Sequence, residues 1–577
     1  AKKAFNVHTI RSSSNMCKAA WDIINSHRPK KPYASCSESP DNINNFFIEA
    51  VEEIVTNLPE MDFNPLYIAN RPKPILDHWL EVRSLDIIKI VNRLKNSRSP
   101  DIYGVPCFVL KAVIHEVANP LSVVINKCLS RGVFPDALKI ARTVPIYKKG
   151  NPEELVNYRP VSVLPVVSKV MESIMKKQLV DFFESNNLLS NTQHGFRSGR
   201  STTTALLSIA SKIMEAFEAG ESMALTLCDL SRAFDCVPHK ILLSKLNSYG
   251  IEGTVHKTIS SYLENRQQRV SLGGATSGSR EVMHGVPQGS ILGPLLFLIL
   301  VNDLRLGGRA VLFADDTTLL SRGKLIHSVL QEAEDLLADA KRWFTTNKLK
   351  LNEEKTQLIF CTLKNGDVIE DCDEAVKLLG FWLDPKLNWN CHIDKVCTKL
   401  SRVIFLLRKL RNVVPERCLV TVYHALFHSH LAYGILLWGH ASACSRILVL
   451  QKKALRIITS SDHLEHCRPI FKRLRVLTVQ GQYVMNSLIY VKENESLFGR
   501  RQDVHGYNTR HAKDLNTLKC RLSKSLNSFP IAAVKLYNSL PESIRNMNTI
   551  KFKEAIWSRL TSRPIYALKE LEDDPLF

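Results

Sequence analysis

The stretch AVLFADDTTLL, residues 310–320, constrains the fold more than any other part of the chain. Apolar residues lead into Ala314, two adjacent carboxylates follow at Asp315 and Asp316, and apolar residues return at Leu319. Apolar runs on both sides of a short acidic tip predict two strands of a hairpin with the acids at the turn. Neighbouring carboxylates repel each other, and a divalent cation such as Mg²⁺ would compensate their charge. A solvated Asp-Asp turn is the alternative that this stretch alone leaves open.

A third carboxylate, Asp229, ends an apolar run in the segment ALTLCDLSRAF, residues 224–234. A strand that brings Asp229 beside the acidic hairpin would form a three-carboxylate cluster. Such a cluster can hold two metal ions about 4 Å apart, which stabilise the attacking and leaving oxygens in phosphoryl transfer. The sequence alone does not prove that the two strands are neighbours.

Three motifs in this order, Asp229-x-x-x-Ala233-Phe234, HGVPQGSILGPLLF (residues 284–297) and FADD (residues 313–316), resemble the reverse transcriptases of non-LTR retrotransposons, especially the Jockey-like group. The resemblance covers nearly the whole chain, with specific motifs from about residue 85 onward. It implies an α+β right-hand polymerase with fingers, an antiparallel-sheet palm, a helical thumb and a helical C-terminal extension. The implied activity is RNA-templated addition of deoxynucleotides to a primer 3′-OH, with two Mg²⁺ ions bound by the three catalytic carboxylates.

The resemblance also implies residues that contact the nucleotide. Arg159, in the Tyr-Arg-Pro step, corresponds to a triphosphate ligand, and Lys148 or Lys149 would be a second contact; a basic surface hairpin is the alternative for either lysine. Phe234 would lie under the sugar, where its ring leaves no room for a 2′-hydroxyl, and a core position for Phe234 is compatible with that role. Asp235 is expected to cap the helix that follows Pro238.

Two further motifs complete the predicted site. Gln288 and Gly289 should line the nucleotide and template side, because glycine lets the backbone approach closely. Lys355, in NKLKLNEEKTQLIF (residues 347–360), corresponds to a lysine that could protonate the leaving pyrophosphate. A solvated lysine after two glutamates is an equal alternative. The segment KLLGFWLDPKLNW, residues 377–389, resembles a hairpin that grips the primer strand.

The charge of the chain indicates a polyanionic partner. Its 577 residues carry a formal net charge of +21, and nucleic acid is the first candidate, before an anionic membrane surface. Residues 395–461 contain eleven Lys or Arg and one acid, Glu416. Because Arg408, Lys409 and Arg411 are interleaved with an apolar stripe, this part is interpreted as a thumb helix that follows phosphates; a solvated helix face is the alternative.

The chain divides into four predicted regions: an N-terminal linker or extension (residues 1–84), fingers and palm (85–384), a basic helical thumb (385–475) and a C-terminal accessory region (476–577). The loop QHGFRSGRS, residues 193–201, carries Arg197 and Arg200 between glycines and is interpreted as a template contact, with a generic basic loop as the alternative. Tail motifs such as YNTR, residues 507–510, resemble Jockey-like tails and carry no assigned chemistry.

Several other classes of protein are disfavoured. The longest apolar run, residues 291–301, is too short to span a bilayer, and no signal peptide opens the chain. The 14 cysteines form no CxxC pair, so neither a disulfide framework nor a zinc site is expected, although His463, His466 and Cys467 come closest to a metal cluster. A reducing intracellular location is expected, with the nucleus during integration and the cytoplasm for complex assembly.

The predicted partners are an RNA template, a DNA primer or target and deoxynucleoside triphosphates, without a membrane. The start at Ala1 suggests a fragment of a longer polyprotein or a degraded copy, and no endonuclease is recognisable. Two rival functions remain: a catalytically inactive nucleic-acid-binding relic and an intron-type maturase. The intact acidic motifs disfavour the first, and the Jockey-like tail disfavours the second.

Overall fold

Helices and short strands alternate up to Leu383, and the later part of the chain is mainly helical. The structure is a computed structural model that describes residues 2–28, 37–59, 74–364, 374–504, 512–573 and 576, so the YNTR motif lies outside the described residues. The strands are β1 (Ile140–Tyr147), β2 (Tyr158–Val163), β3 (Ser222–Ser231), β4 (Gln267–Leu272), β5 (Ala275–Thr276), β6 (Arg280–Glu281), β7 (Ala310–Phe313), β8 (Asp316–Gly323), β9 (Lys350–Cys361), β10 (Val376–Leu378) and β11 (Phe381–Leu383).

Eleven α-helices precede β9 in the described residues. They are α1 (Lys2–Ser12), α2 (Met16–Ser26), α3 (Pro40–Thr56), α4 (Ser84–Arg93), α5 (Cys107–Arg131), α6 (Val166–Ser185), α7 (Thr202–Glu218), α8 (His239–Ser248), α9 (Gly253–Leu263), α10 (Gly293–Val301) and α11 (Ile326–Thr346).

The later helices build the thumb and the tail. They are α12 (Asn390–Leu410), α13 (Glu416–Val422), a π-helical turn (Tyr423–His428), α14 (Ser429–Ala432), α15 (Ile435–Trp438), α16 (Cys444–Thr459), α17 (Cys467–Leu474), α18 (Val479–Glu493), α19 (Arg501–Val504), α20 (Ser523–Asn527), α21 (Ile531–Asn538), α22 (Glu542–Arg545), α23 (Thr549–Ser562) and α24 (Glu570–Asp573).

The palm is an antiparallel sheet in the order β7-β8-β3-β9. β3 is a central strand, and its sequence SMALTLCDLS is almost continuously buried, as expected for a strand covered on both faces. α7 and α11 pack against this sheet. The sequence spaces Val329, Leu336 and Ala340 as one apolar face of a helix, and all three lie buried on one side of α11.

The fingers contain a second sheet in the order β2-β1-β4-β5, with β6 paired to β4. β1 is antiparallel to β2 and parallel to β4. Helix α3 packs on this sheet, and the Asn44 amide donates to Ser277 Oγ and to the Gly278 carbonyl. The segment predicted as a linker therefore places one of its helices directly on the fingers.

Helix α5 is long and apolar enough to cross a membrane by length and composition, the one such helix in the described residues. Sequence inspection did not single it out. Leu110, Ile114 and Ile125 on one side of α5 are buried, and the helix packs against α4, α6 and α9. Its buried side thus belongs to the helical packing of the fingers.

The thumb and the C-terminal region share one hydrophobic core. Leu407 of α12, Leu455 of α16, Tyr483 of α18 and Ile556 of α23 are fully buried members of the same cluster. Arg521, after the last thumb helices, donates to the Phe217 and Glu218 carbonyls at the end of α7 and so ties the tail to the palm. The predicted α+β right-hand arrangement with a helical C-terminal extension is confirmed.

Candidate active site

The acidic stretch forms the predicted hairpin. Phe313 of β7 pairs with Asp316 of β8, so Ala314 and Asp315 make a two-residue turn. Ala314 has a φ of +58°, in the left-handed region that a residue with a Cβ rarely adopts. Strained backbone of this kind persists only where surrounding contacts hold it, and it clusters at functional sites.

Strand β3 places Asp229 next to this hairpin. Cys228 pairs with Thr317, so the residues one step further along the two antiparallel strands are Asp229 and Asp316. On the other side Asp229 pairs with Asn352 of β9, directly after an irregularity in the register. A bulge of this kind re-aims side chains, and such bulges are common next to active sites. The acidic hairpin and the Asp229 strand are neighbours, which the sequence had left open.

The loop of residues 193–195, before α7, is hydrogen-bonded to the acidic turn and to β7. The Gln193 side-chain oxygen accepts hydrogen bonds from the Ala314 backbone N–H at 3.1 Å and from the Gly195 N–H at 2.7 Å. The His194 N–H donates to the Leu312 carbonyl at 2.8 Å. A Cβ on Gly195 would lie 2.4 Å from the Ala314 nitrogen, so only glycine allows this approach.

The electrostatics of the hairpin disfavour full ionisation of its acids. Burial, followed by repulsion from Asp315 and then from Asp229, raises the pKa of Asp316 to about 6. The pKa of Asp315 is raised by burial and by Asp229, and it is lowered in part by Arg159 and Lys148. A cation at this end of the sheet would remove the cost of ionising these groups.

The donor set suits a hard divalent ion. All three side chains offer carboxylate oxygens, and Mg²⁺ is usually held by one or two carboxylates together with substrate phosphates and water. Asp229 and Asp315 line one cavity, while Asp229 and Asp316 line the adjoining one, so Asp229 borders both cavities. In the described residues no three such side chains converge closely enough to hold an ion unaided.

Lys355 contacts the acidic centre directly. Its ammonium lies 3.4 Å from Asp229 Oδ2, and both side chains are partly exposed. This ion pair supplies one positive charge to the carboxylates. The position is also compatible with the predicted proton transfer to a leaving group beside Asp229.

One cleft of about 700 Å³ brings together eight of the nine predicted site residues. Asp316, the ninth, lines the adjoining cavity of about 520 Å³ together with Asp229 and Lys355. The lining of the cleft combines carboxylates, cations, an aromatic ring and a side-chain amide. The eight residues are Lys148, Arg159, Asp229, Phe234, Gln288, Gly289, Asp315 and Lys355.

Two cations of the cleft, Lys148 and Arg159, belong to the β1–β2 hairpin of the fingers. Arg159 pairs with Ile146 across the two strands, and the Lys148 N–H donates to the Asn157 carbonyl at 2.9 Å. The pKa of Lys148 is lowered by burial and then by the positive charges of Arg159 and Lys355. Cations that repel each other in a cleft of this size predict a polyanionic ligand, as a triphosphate would be. Lys148 lines the cleft, so the structure favours Lys148 over Lys149 as the second contact.

Comparison with known proteins decides the family of this region. Residues 146–383 match the family described as Reverse transcriptase (RNA-dependent DNA polymerase). Residues 146–383 form a reverse transcriptase domain. The matched range contains Lys148 and Arg159, all three carboxylates and Lys355.

Relatives of the chain include proteins from mobile elements of Drosophila melanogaster. The probable RNA-directed DNA polymerase from transposon BS is 30% identical over 73% of this chain and 49% of that protein. The corresponding protein from transposon X-element is 27% identical over 75% of this chain and 51% of its own. The RNA-directed DNA polymerase from mobile element jockey is 30% identical over 62% and 41%. The chain thus spans about half the length of these relatives or less.

Phe234 forms the aromatic wall of the reverse transcriptase domain. Its ring stacks on Phe297 of α10, with centroids 4.4 Å apart, and Phe196 meets it edge-on at 6.2 Å. Phe234 also lines the cleft, so it is both a core contact of Phe297 and a cleft residue. Phe196, which is 54% exposed with a φ of +53°, is a further cleft residue that sequence reasoning did not identify.

Gln288 and Gly289 lie against the fingers strand β2, and their contact with nucleotide and template stays a prediction. The Ser162 N–H donates to the backbone carbonyl of Gln288 at 2.7 Å. A Cβ on Gly289 would lie 2.4 Å from the backbone carbonyl oxygen of Ser162. The expected cap by Asp235 is wrong: α8 begins after Pro238 with no side-chain cap. The Asp235 carboxylate instead accepts from the Gln288 side-chain amide, because the chain turns back toward this loop.

Glu172 of α6 is a second residue that sequence reasoning missed. It is fully buried, and its Oε2 accepts from the backbone N–H groups of Ile291 and Leu292 at 2.7 and 3.0 Å. Ser168 donates to its other oxygen. Glu172 therefore holds the loop that carries Gln288. The signal in the sequence was the position of Glu172 among the apolar residues of VVSKVMESIM, on the buried side of α6.

The arginines of the loop 193–201 have internal partners. Arg197 donates to both Glu184 oxygens at 3.0 and 2.7 Å and to the Ser190 carbonyl. Arg200 donates to the Asn191 and Gln193 carbonyls. These bonds tie the loop that supports the catalytic turn, and the template contact stays a prediction.

Helix α12 of the thumb has a buried apolar side and exposed cations, and its contact with phosphates stays a prediction. Leu406, Leu407 and Leu410 of α12 are buried, whereas Arg408 and Lys409 are exposed on the opposite side. Arg411 donates through Nε to Ser460 Oγ at 3.1 Å. β10 and β11 form the hairpin that the resemblance assigns to the primer.

Proposed function

We propose that the chain is an RNA-directed DNA polymerase that extends a primer 3′-OH with deoxynucleotides on an RNA template. The observation that carries this proposal is the single cleft in which carboxylates, cations, the Phe234 ring and the Gln288–Gly289 turn meet at one end of the palm sheet. Each of these groups matches a requirement of nucleotidyl transfer.

Asp229, Asp315 and Asp316 would hold two Mg²⁺ ions together with phosphate oxygens. When bound, the ions stabilise charge on the attacking and leaving oxygens. Arg159 and Lys148 bind and orient the triphosphate from the fingers side. Lys355 is placed to hold a proton for the pyrophosphate that leaves.

The remaining residues choose and position the substrate. Phe234 restricts the space beneath the sugar, and Gln288 with Gly289 lines the opposite wall. The exposed cations of α12 contact the phosphates of the template and primer without reading bases. An intracellular location, in the nucleus during integration and in the cytoplasm during assembly, belongs to the same proposal.

Primer extension on an RNA template with Mg²⁺ tests this function. We expect extension by the wild-type chain, loss of at least about a thousandfold in Asp229→Asn, and retained RNA binding in that variant. Asp339→Asn, the same change at an exposed position of α11, is the matched control.

A wild-type chain that binds RNA without extending a primer would support the relic instead. Stimulation of intron splicing without extension would support the maturase. Equal extension by Asp229→Asn and wild type would overturn the assignment of the active site.

A further inference from the structure

We propose that Tyr433 is a positioning residue that fixes the primer end relative to the catalytic carboxylates, by tying the turn between β10 and β11 to the start of α7. This inference rests on the proposed polymerase function and deepens it. Tyr433 follows α14 of the thumb, and its hydroxyl contacts Thr202 and Leu379, which lie 231 and 54 positions earlier in the chain.

The Tyr433 hydroxyl lies between two elements of the palm. Its oxygen is 2.8 Å from the Leu379 carbonyl oxygen and 3.0 Å from Thr202 Oγ1. A phenol has one proton and a carbonyl oxygen only accepts, so the phenol donates to Leu379 and the Thr202 hydroxyl can donate to the phenol. The hydroxyl therefore joins the turn of the β10–β11 hairpin to the first residue of α7.

The turn that Tyr433 contacts has a strained backbone. Leu378 pairs with Phe381, so Leu379 and Gly380 form a two-residue turn, with φ of +47° and +88°. Two positive φ values are typical of hairpin turns that carry Asn, Asp or Gly, and a leucine rarely adopts this conformation. Such strain persists only where neighbouring contacts hold the backbone. The hydrogen bond from Tyr433 is made to the carbonyl of the strained leucine itself.

The ring of Tyr433 also packs against this hairpin. It stacks on Phe381 with centroids 4.8 Å apart, and a Cβ on Gly380 would lie 3.4 Å from its Cε1 atom. A Cβ on Gly434, the next residue, would lie 2.1 Å from Phe381 Cζ, so only glycine allows the thumb backbone to approach the hairpin this closely. Tyr433→Phe would therefore keep the packing and remove only the hydrogen bonds.

The turn and the acidic centre share one cavity. Leu379 and Gly380 line the cavity of about 520 Å³ that Asp229, Asp316 and Lys355 also line. A displacement of the turn would therefore change the space beside the carboxylates.

The direction of the reaction assigns the primer end to this cavity. Arg159 and Lys148 line the neighbouring cleft, so the triphosphate would lie in the cleft, on one side of Asp229. In nucleotidyl transfer the attacking and leaving oxygens lie roughly in line, on opposite sides of the phosphorus. The primer 3′-OH would then approach Asp229 from the adjoining cavity, which the β10–β11 turn lines.

The start of α7 is a common anchor for the acids and for this turn. The loop before α7 holds the acidic turn, because Gln193 accepts from the Ala314 N–H. The same loop contacts the first turn of α7, with His194 Nδ1 2.9 Å from Thr204 Oγ1. Tyr433 joins the β10–β11 turn to the same end of α7. One helix end thus sets the spacing between the carboxylates and the turn that a primer end would contact.

The test separates the rate of chemistry from binding. Wild type, Tyr433→Phe, Thr202→Val, the double variant and the control Tyr490→Phe are each bound to the same primer and RNA template with Mg²⁺. Tyr490 lies in α18 and packs on Phe529, so its variant removes a tyrosine hydroxyl in the C-terminal region. The dissociation constants of the primer–template and of the next deoxynucleoside triphosphate, the single-turnover rate of addition and the melting temperature are measured for each protein.

We expect Tyr433→Phe to lower the rate of addition by about tenfold, because a turn displaced by less than about 1 Å misaligns the 3′-OH. Both dissociation constants should stay within about twofold of wild type, since the lost contact acts on the alignment of the reacting groups. Thr202→Val should also lower the rate, and the double variant should be no slower than Tyr433→Phe, because both residues act through one hydroxyl. Tyr490→Phe should match wild type.

An unchanged rate in Tyr433→Phe would overturn the inference. A melting temperature about 5 °C or more below wild type would mark the hydroxyl as structural, and a primer–template affinity that falls as much as the rate would mark it as a binding contact; either result also overturns it. Additive losses in the double variant would contradict the common anchor. A wild-type chain that extends no primer would instead refute the proposed function.

Discussion

The Lys355 ammonium lies 3.4 Å from Oδ2 of Asp229 and so joins the predicted proton donor to a predicted metal ligand. The lysine can act as a counter-ion that reduces the repulsion between the carboxylates. It can also act as an acid that gives a proton to the leaving pyrophosphate. These roles need different chemistry, because a counter-ion needs only charge and an acid must release its proton.

Replacing Lys355 separates these roles. We expect Lys355→Ala to lower the rate of nucleotide addition by about a hundredfold or more. Lys355→Arg should lose a similar factor, because a guanidinium keeps both its charge and its proton. Single-turnover rates across pH provide the measurement, with Lys341→Arg in a surface ion pair as the control. Full activity of the arginine variant would assign Lys355 to charge compensation alone.

Phe234 should determine the choice of sugar. Phe234→Val opens space beneath the nucleotide, and we expect incorporation of ribonucleotides relative to deoxynucleotides to rise by about tenfold or more. Because Phe234 also stacks on Phe297, the variant should lose some stability, so the ratio is measured well below its melting temperature. A folded, active variant with the wild-type ratio would leave Phe234 as a core residue only.

The close approach of Gly195 to Ala314 should be essential for chemistry. Gly195→Ala places a Cβ 2.4 Å from the Ala314 nitrogen, and the turn that carries Asp315 must shift. We expect a loss of about a hundredfold in the extension rate with little change in RNA binding, because displacements of about 1 Å have such effects. Gly499→Ala, where a Cβ has open space, is the matched control. Normal extension by Gly195→Ala would show that the loop support is dispensable.

The exposed face of α12 should set the salt dependence of binding. Replacing Arg408, Lys409 and Arg411 by Ala should weaken binding to all sequences alike and flatten the slope of log affinity against log salt. The slope should decrease by about two phosphate contacts' worth, because the third residue, Arg411, already donates to Ser460. Titrations at several salt concentrations, with Lys551→Ala on the tail as a control, provide the test. An unchanged slope would remove α12 from the nucleic-acid path.

Ionisation of the Asp235 carboxyl should lower the free energy of unfolding as pH rises. Burial raises its pKa to about 6 in the folded chain, above the ordinary value of 3.8. The unfolded state therefore loses this proton first, and the free energy of unfolding falls as pH rises from about 4 through 6, by about 3 kcal/mol in total. Asp235→Asn should remove this loss and be at least as stable as wild type at pH 8. Chemical denaturation at pH 5 and pH 8 checks the prediction, and a less stable variant at pH 8 would contradict it.

Local patterns were sufficient for many features of the protein. The apolar runs around Asp315 and Asp316 predicted the hairpin, the spacing from Val329 to Ala340 predicted α11, and the ordered motifs led to residues that the structure gathers in one cleft. These inferences succeed because strand alternation, helical spacing and short motifs are encoded by residues that lie near one another in the chain.

Tertiary structure alone decided how those motifs are held. Glu172 reaches the loop at Ile291 across 119 positions, and Gln193 supports Ala314 across 121. Asp235, expected to cap the next helix, turns instead to Gln288. A polar side chain in a fold is satisfied by whichever donor or acceptor the packing brings within about 3 Å. That choice depends on strand register and helix placement, which no local segment specifies.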